Sequence, residues 1–181
     1  MSRVATIKQE EATGLVKSLY TTLISRIGHV PNIFLTMANS PEALAAFVQM
    51  QKCAAMSSLP EDIKSYISLA MAEANECQYC LSAHSAIAKS IGLQESDILK
   101  ARSGAADNKK NDQILKFVKS VVQKRGAVSD KEVQDLKAQG VTDREICDII
   151  LLISLNNFSN YFNKINNTDI DFPPIQKLER S

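Results

Sequence analysis

Four side chains in one short stretch have types and spacing that could do chemistry together. They lie in Glu73-Ala-Asn-Glu-Cys77-Gln-Tyr-Cys80-Leu-Ser-Ala-His84. On a helix turning by about 100° per residue, Cys80 falls about 60° from Cys77 and His84 about 20° from it, so all three share a narrow stripe. Asn75 is placed to interrupt the preceding helix, which would put Cys77 in the first turn of the next one. There the positive end of the helix dipole stabilises a thiolate. His84 sits one turn beyond Cys80 and could serve as its base. A dithiol beside an imidazole suits nucleophilic attack by one thiolate and closure to a disulfide by the other. Were the helix unbroken through Asn75, Glu73 would fall about 40° from Cys77, on the same stripe.

The same residues admit plainer readings. Cys-x-x-Cys can be half of a zinc site with His84 as a third ligand, but no second such pair follows. Haem attachment would need histidine directly after the second cysteine, where Leu81 stands. Two buried, inert thiols are a further possibility, since free cysteine packs like a small hydrophobe. Elsewhere, Cys53, Cys147, Met50, Met56 and Met71 read as core packing. His29 reads as a turn residue, and Asn156-Asn157 as capping or helix-contact residues.

The elements that must position the stripe are all helical. Leu15, Leu19, Leu23 and Ile27 form a stripe, with Val16, Tyr20 and Ile24 beside it, ending at Gly28. Ser40-Pro41 starts a segment running to about Met56, and Ser58-Leu59-Pro60-Glu61 starts another running toward Ala74. Cys77 to Ile91 ends at Gly92. Ile114, Phe117, Val118 and Val121 share one face before Gly126. Ser129 and Thr142 open capping boxes, the second leading into the most apolar helix, with Ile146, Ile149, Ile150 and Ile153. No alternating strand, phosphate-binding glycine loop or low-complexity tract is present. The expectation is one all-α domain over 1–181 with six to eight helices, the 77–91 helix near the centre, and an extended tail over about 166–181.

Composition narrows the function classes. The chain has 181 residues, 45% of them hydrophobic and 23% charged, with only 6 glycines and 5 prolines. Twenty-one Lys and Arg against 20 Asp and Glu leave a formal charge of +1, which gives no general drive toward nucleic acid or anionic membrane. The longest strictly apolar run, Ile149 to Ile153, is far short of the roughly 20 residues of a membrane span. The N-terminus lacks the apolar core of a secretory signal, and four irregularly spaced cysteines do not make a secreted disulfide framework. A cytoplasmic location is expected.

At the Cys-x-x-Cys motif the sequence resembles the carboxymuconolactone decarboxylase-like superfamily, and within it the alkylhydroperoxidase D-like, peroxidase-related branch. The resemblance rests on Glu-Ala-Asn-x-Cys-x-Tyr-Cys-x-x-x-His over Glu73 to His84, followed by Ala-Lys-x-x-Gly over Ala88 to Gly92. Flanking likeness at 28–34, 40–44 and 140–146 extends it over about residues 15–172. It implies an all-helical AhpD-like fold whose dithiol reduces hydroperoxides and is recycled by an external dithiol. By position it implies Cys80 as the peroxidatic thiol, Cys77 as the resolving one and His84 as the relay histidine. The relatives carry a glutamate twelve residues before the first cysteine; that position here is Ser65, which makes Glu73 the candidate substitute. Cys77, at the helix start, is expected nearer solvent and open to the reductant. No cofactor and no metal are expected, and the relatives' assembly implies a trimer or hexamer. Two other functions fit the same resemblance: a non-redox decarboxylase or lactone-type enzyme, and a non-catalytic oligomer with a structural Cys-x-x-Cys.

Overall fold

The computed structural model describes residues 1–176 and Leu178. Among them are nine α-helices and no strand, an all-α fold. In chain order these are α1 (Gly14–Ile27), α2 (Asn32–Met37), α3 (Pro41–Ala55), α4 (Glu61–Ala74), α5 (Gln78–Ser90), α6 (Glu95–Ser103), α7 (Lys109–Gln123), α8 (Asp130–Ala138) and α9 (Asp143–Asn166). The start signals work as their chemistry dictates. Ser40 accepts from the Ala43 amide with proline at the first helical position, and Ser129 and Thr142 each close a capping box. Gly28 ends α1 in the left-handed conformation, at φ 82°. Two short helices escape the periodicity, α2 behind Pro31 and the charged α6. Ser58 does not cap α4; its amide and hydroxyl both donate to Asp148, and the helix opens behind Pro60.

The hub of the packing is α4, which lies against α5, α6, α7 and α9, rather than the 77–91 helix. Its neighbours build one hydrocarbon core with it, from Ile63, Ile67, Met71, Ile114, Leu115, Leu136 and Ile149, each at most 1% exposed. Fully burying one such side chain stabilises by about 1.5–3 kcal/mol. A second cluster, from α1, α2, α3 and the start of α5, encloses both motif cysteines. In α1 the buried residues are Val16, Tyr20 and Leu23, whereas Leu15 and Ile27 are half-exposed. Cys53, Cys147 and Met56 are exposed, not core, because each falls on the solvent side of its helix.

After α9 the chain runs without helix to Gln176. It crosses back over the second cluster as a strap. Asp171 accepts from the Asn32 amide, Phe172 meets the Tyr79 ring edge-on at 5.7 Å, and the Ile175 carbonyl accepts from Gln78. Residue 177 and residues 179–181, the rest of the expected tail, lie outside the described residues.

Candidate active site

The dithiol sits where one helix stops and the next starts. The α4 helix closes through paired bonds: Glu76 N–H donates to the Glu73 carbonyl and Cys77 N–H to the Ala72 carbonyl. This is the Schellman pattern, and it needs one left-handed residue, here Glu76 at φ 53°. Cys77 then caps α5, its sulfur accepting from the Cys80 amide at 3.3 Å. One residue thus ends α4 and begins α5, so Asn75 breaks the helix as its position predicts. Cys77 and Cys80 are joined in a disulfide with Cα atoms 5.2 Å apart.

The break is held from across the core by α9. Asn75 Nδ2 donates to Asn157 Oδ1 at 3.0 Å and Asn160 Oδ1 at 2.9 Å, and Lys164 Nζ donates to the Asn75 carbonyl at 2.8 Å. One turn further on, Asn163 Nδ2 lies 3.4 Å from Cys80 Sγ. Asn156, Asn160, Asn163 and Asn166 are all buried on one face of α9. Of these the sequence reading names only Asn156, as a capping or helix-contact residue, yet the spacing of all four continues the stripe of Ile149, Leu152 and Ile153. Polar residues on an otherwise apolar stripe were the available signal.

A cavity of about 510 Å³ opens beside the motif. Phe34, Phe47, Phe172, Leu23, Ile33 and Ala83 give it an apolar lining, while Ser65, Ser68, Ser159, Asn163, His84 and Cys80 supply a polar wall. Arg26 and His29 stand at its exposed rim. Cys77 is absent from the lining and 1% exposed, and Cys80 is 3% exposed. The expectation that Cys77 is nearer solvent is therefore overturned. Its sulfur, capping a buried helix start inside the second cluster, is the more enclosed, and Cys80 is the one that meets the cavity.

His84 also faces the cavity. Burial lowers its pKa to about 4, opposed by a side-chain hydrogen bond with Asn156. Asn156 spends its Nδ2 on the Leu152 carbonyl and Ser68 Oγ, so its Oδ1 is what remains to receive the imidazole N–H. The other ring nitrogen is then a bare acceptor, and the ring is neutral at pH 7. A thiolate on reduced Cys80, one turn away, favours the imidazolium by opposite charge. Ser65 lies on the cavity wall at the position where relatives are expected to carry glutamate.

Glu73 is placed elsewhere. Its Oε2 accepts from Arg102 Nε at 2.8 Å, and Arg102, itself 5% exposed, also donates to the Gln176 carbonyl of the strap. Glu73 is not among the cavity's lining residues. The structure thus brings Cys77, Cys80 and His84 together and sets Glu73 in an ion pair that anchors the strap. Among the described residues no group of three or more His, Cys, Asp or Glu is arranged to hold a metal ion, and no helix is long and apolar enough to cross a membrane.

Comparison with known proteins agrees with this geometry. Residues 41–123, which include the motif, match the Carboxymuconolactone decarboxylase family. None of the curated proteins matches the chain. Among solved structures, the alkylhydroperoxidase AhpD core of a peroxidase-related protein from Ralstonia eutropha JMP134 superposes with a TM-score of 0.85 at 22% identity, covering 94% of this chain and 92% of that one. The debrominase Bmp8 superposes at 0.80 with 20% identity, covering 94% and 93%. A peroxidase-related protein from Silicibacter sp. TM1040 gives 0.78 at 20% identity, covering 93% and 94%.

Proposed function

We propose that this chain, whose residues 41–123 match the Carboxymuconolactone decarboxylase family and whose fold is AhpD-like, is a thiol-dependent peroxidase of the AhpD-like kind. The observation that carries the reading is the Cys77–Cys80 pair at the start of α5, with Cys80 and His84 on the wall of one apolar cavity. In the reduced enzyme His84 takes the proton of the Cys80 thiol. The thiolate attacks the terminal oxygen of a hydroperoxide: an S–O bond forms, the O–O bond breaks, and the alkoxide leaves with the proton returned by His84. Cys77 then attacks the sulfenic acid on Cys80, releasing water and closing the disulfide. An external dithiol reopens it.

The burial of Cys77 reassigns the reductant's target. Cys80 is the sulfur the cavity exposes, and Cys77, held by the Cys80 amide at a helix start, leaves as a stabilised thiolate. A stabilised thiolate leaves faster, so the reductant attacks Cys80 through the cavity and expels Cys77. Peroxide and reductant use the same entrance in turn. Glu73 takes no proton in this scheme; it fixes Arg102.

The fold alone does not choose the oxidant. The cavity is far larger than hydrogen peroxide requires and is lined with aromatic rings, which favours an organic hydroperoxide. The same lining, with the fold likeness to a debrominase, supports a second reading in which a halogenated aromatic ring is the substrate. Thiol counting separates these readings. The reduced chain is treated with a slight excess of cumene hydroperoxide, and its cysteines are mapped by peptide mass. Loss of two thiols, as a Cys77–Cys80 disulfide that a dithiol reverses, is expected. Unchanged thiols after peroxide, with bromide released from a brominated aromatic, would select the second reading. No thiol loss with either compound would leave the dithiol a structural bond.

A further inference from the structure

We infer that Asn163 is a catalytic residue, its amide N–H held on the Cys80 sulfur and its amide oxygen receiving the O–H of the bound hydroperoxide. The inference rests on the peroxidase reading and deepens it. Asn163 is 3% exposed and lines the cavity, and its Nδ2 already lies 3.4 Å from Cys80 Sγ. Its Oδ1 is buried and has no hydrogen-bond partner among the described residues. A leucine of similar size would fill this place without leaving a polar atom unpaired, whereas an unpaired buried amide oxygen is costly. The oxygen therefore awaits a donor that enters through the cavity.

The hydroperoxide supplies one. Its terminal oxygen is the atom the thiolate must attack, and that oxygen carries the molecule's only hydroxyl proton. An amide that touches the sulfur with one arm and holds this hydroxyl with the other brings the two reacting atoms together. The hydroxyl proton is not transferred. It stays on the oxygen as the S–O bond forms, so the sulfenic acid keeps the same bond to Oδ1, while the alkoxide draws its proton from His84. The N–H arm stabilises charge on Cys80, where the surrounding titratable groups are Cys77 at the cap of α5 and Tyr79 and His84 on it. Arg26 and His29 stand at the exposed rim, and Lys64, its side chain 12% exposed, lines the cavity but spends its ammonium on Glu61 and the Ala55 carbonyl. Burial raises the Tyr79 hydroxyl far above neutral pH.

The test uses the full chain with Cys77→Ser, which retains a capping oxygen at the start of α5, with and without Asn163→Leu. Alkylation of Cys80 by iodoacetamide is followed against pH by mass of its peptide, because Cys53 and Cys147 also react. Asn163→Leu is expected to raise the Cys80 midpoint by about one unit, slowing alkylation about tenfold at pH 7. Above both midpoints, where the thiolates are equal, oxidation by cumene hydroperoxide is expected to remain about tenfold slower, the share of the oxygen arm. An unchanged midpoint overturns the N–H arm, and equal peroxide rates at matched ionisation overturn the oxygen arm. A parent inert to peroxide at every pH overturns the peroxidase reading and the oxygen arm together, while a shifted alkylation midpoint would still uphold the N–H contact. Should Asn163→Leu not fold, the reduced native chain serves: the Asn163 side-chain amide resonances must titrate with Cys80 in a ¹⁵N spectrum, and resonances that stay fixed overturn the contact.

Discussion

The two halves of α9 bury the same face of one helix for opposite purposes. From Ile149 to Ile153 the buried face is hydrocarbon and joins the core around α4. From Asn156 to Asn166 it is a row of amides, each placed against something that must be oriented: His84, the Asn75 break, the Cys80 sulfur and the N-terminal segment through Val4. Burial of hydrocarbon is non-directional and scales with area, whereas a buried amide is useful only in one geometry and is penalised in any other. The first half of α9 holds the molecule together, and the second fixes where its reactive groups point. Two amide atoms of the second half, Asn160 Nδ2 and Asn163 Oδ1, are left unpaired among the described residues, which no purely structural role requires.

That contrast can be broken by exchange. Ile149→Ala in the first half is expected to cost about 2–5 kcal/mol in urea unfolding, because a fully buried side chain leaves a cavity. The pH profile of Cys80 alkylation should be unchanged. Asn160→Leu in the second half should do the reverse: about 1 kcal/mol or less in stability, since Asn75 keeps Asn157 and the unpaired Nδ2 is removed, but a displaced Cys80 alkylation profile. A large loss of stability in Asn160→Leu with an unchanged profile would dissolve the distinction.

His84 sharpens it through pH. An unfolded imidazole titrates near 6.5, and the folded one is held down to about 4 by burial. Below pH 6.5 the unfolded chain takes up a proton that the fold refuses, so this contribution is complete above 6.5 and lost as pH falls toward 4. The slope is up to about 1.4 kcal/mol per unit. In the oxidised protein, His84→Gln should flatten the stability profile between pH 6.5 and 5 relative to the native chain; parallel profiles would return His84 to an ordinary solvated site. The smallest effect is expected at Glu73. Glu73→Gln keeps an acceptor for Arg102 and removes only charge, for about 1 kcal/mol or less of stability and no change in the alkylation profile. A profile that shifts would put Glu73 in the proton relay.

How much of this could be read from the sequence follows from what each feature depends on. Helix starts at Ser40, Ser129 and Thr142 and the stop at Gly28 were legible because capping is local chemistry. The helix break at Asn75 was legible too, and with it the place of Cys77 at the start of α5. Depth was not: Cys53 and Cys147 sit on helical stripes that read as buried, and only the packing of α3 and α9 leaves them outside. Glu73 lies near the cysteine stripe only on an unbroken helix, and the left-handed Glu76 turns α5 away from that register. Its partner, Arg102, comes from α6, a helix too charged to leave a periodic trace. The asparagines of α9 were visible as residues, but what an amide orients is a property of what lies opposite it.

The strap over Tyr79 can move on a clock of its own. Residues 171–176 lift by a local opening that breaks the bonds to Asn32, Gln78 and Arg102 and the contact of two aromatic rings, without unfolding any helix. Phe172 belongs both to the strap and to the cavity wall, so deuterium uptake along the strap measures how often that wall gives way.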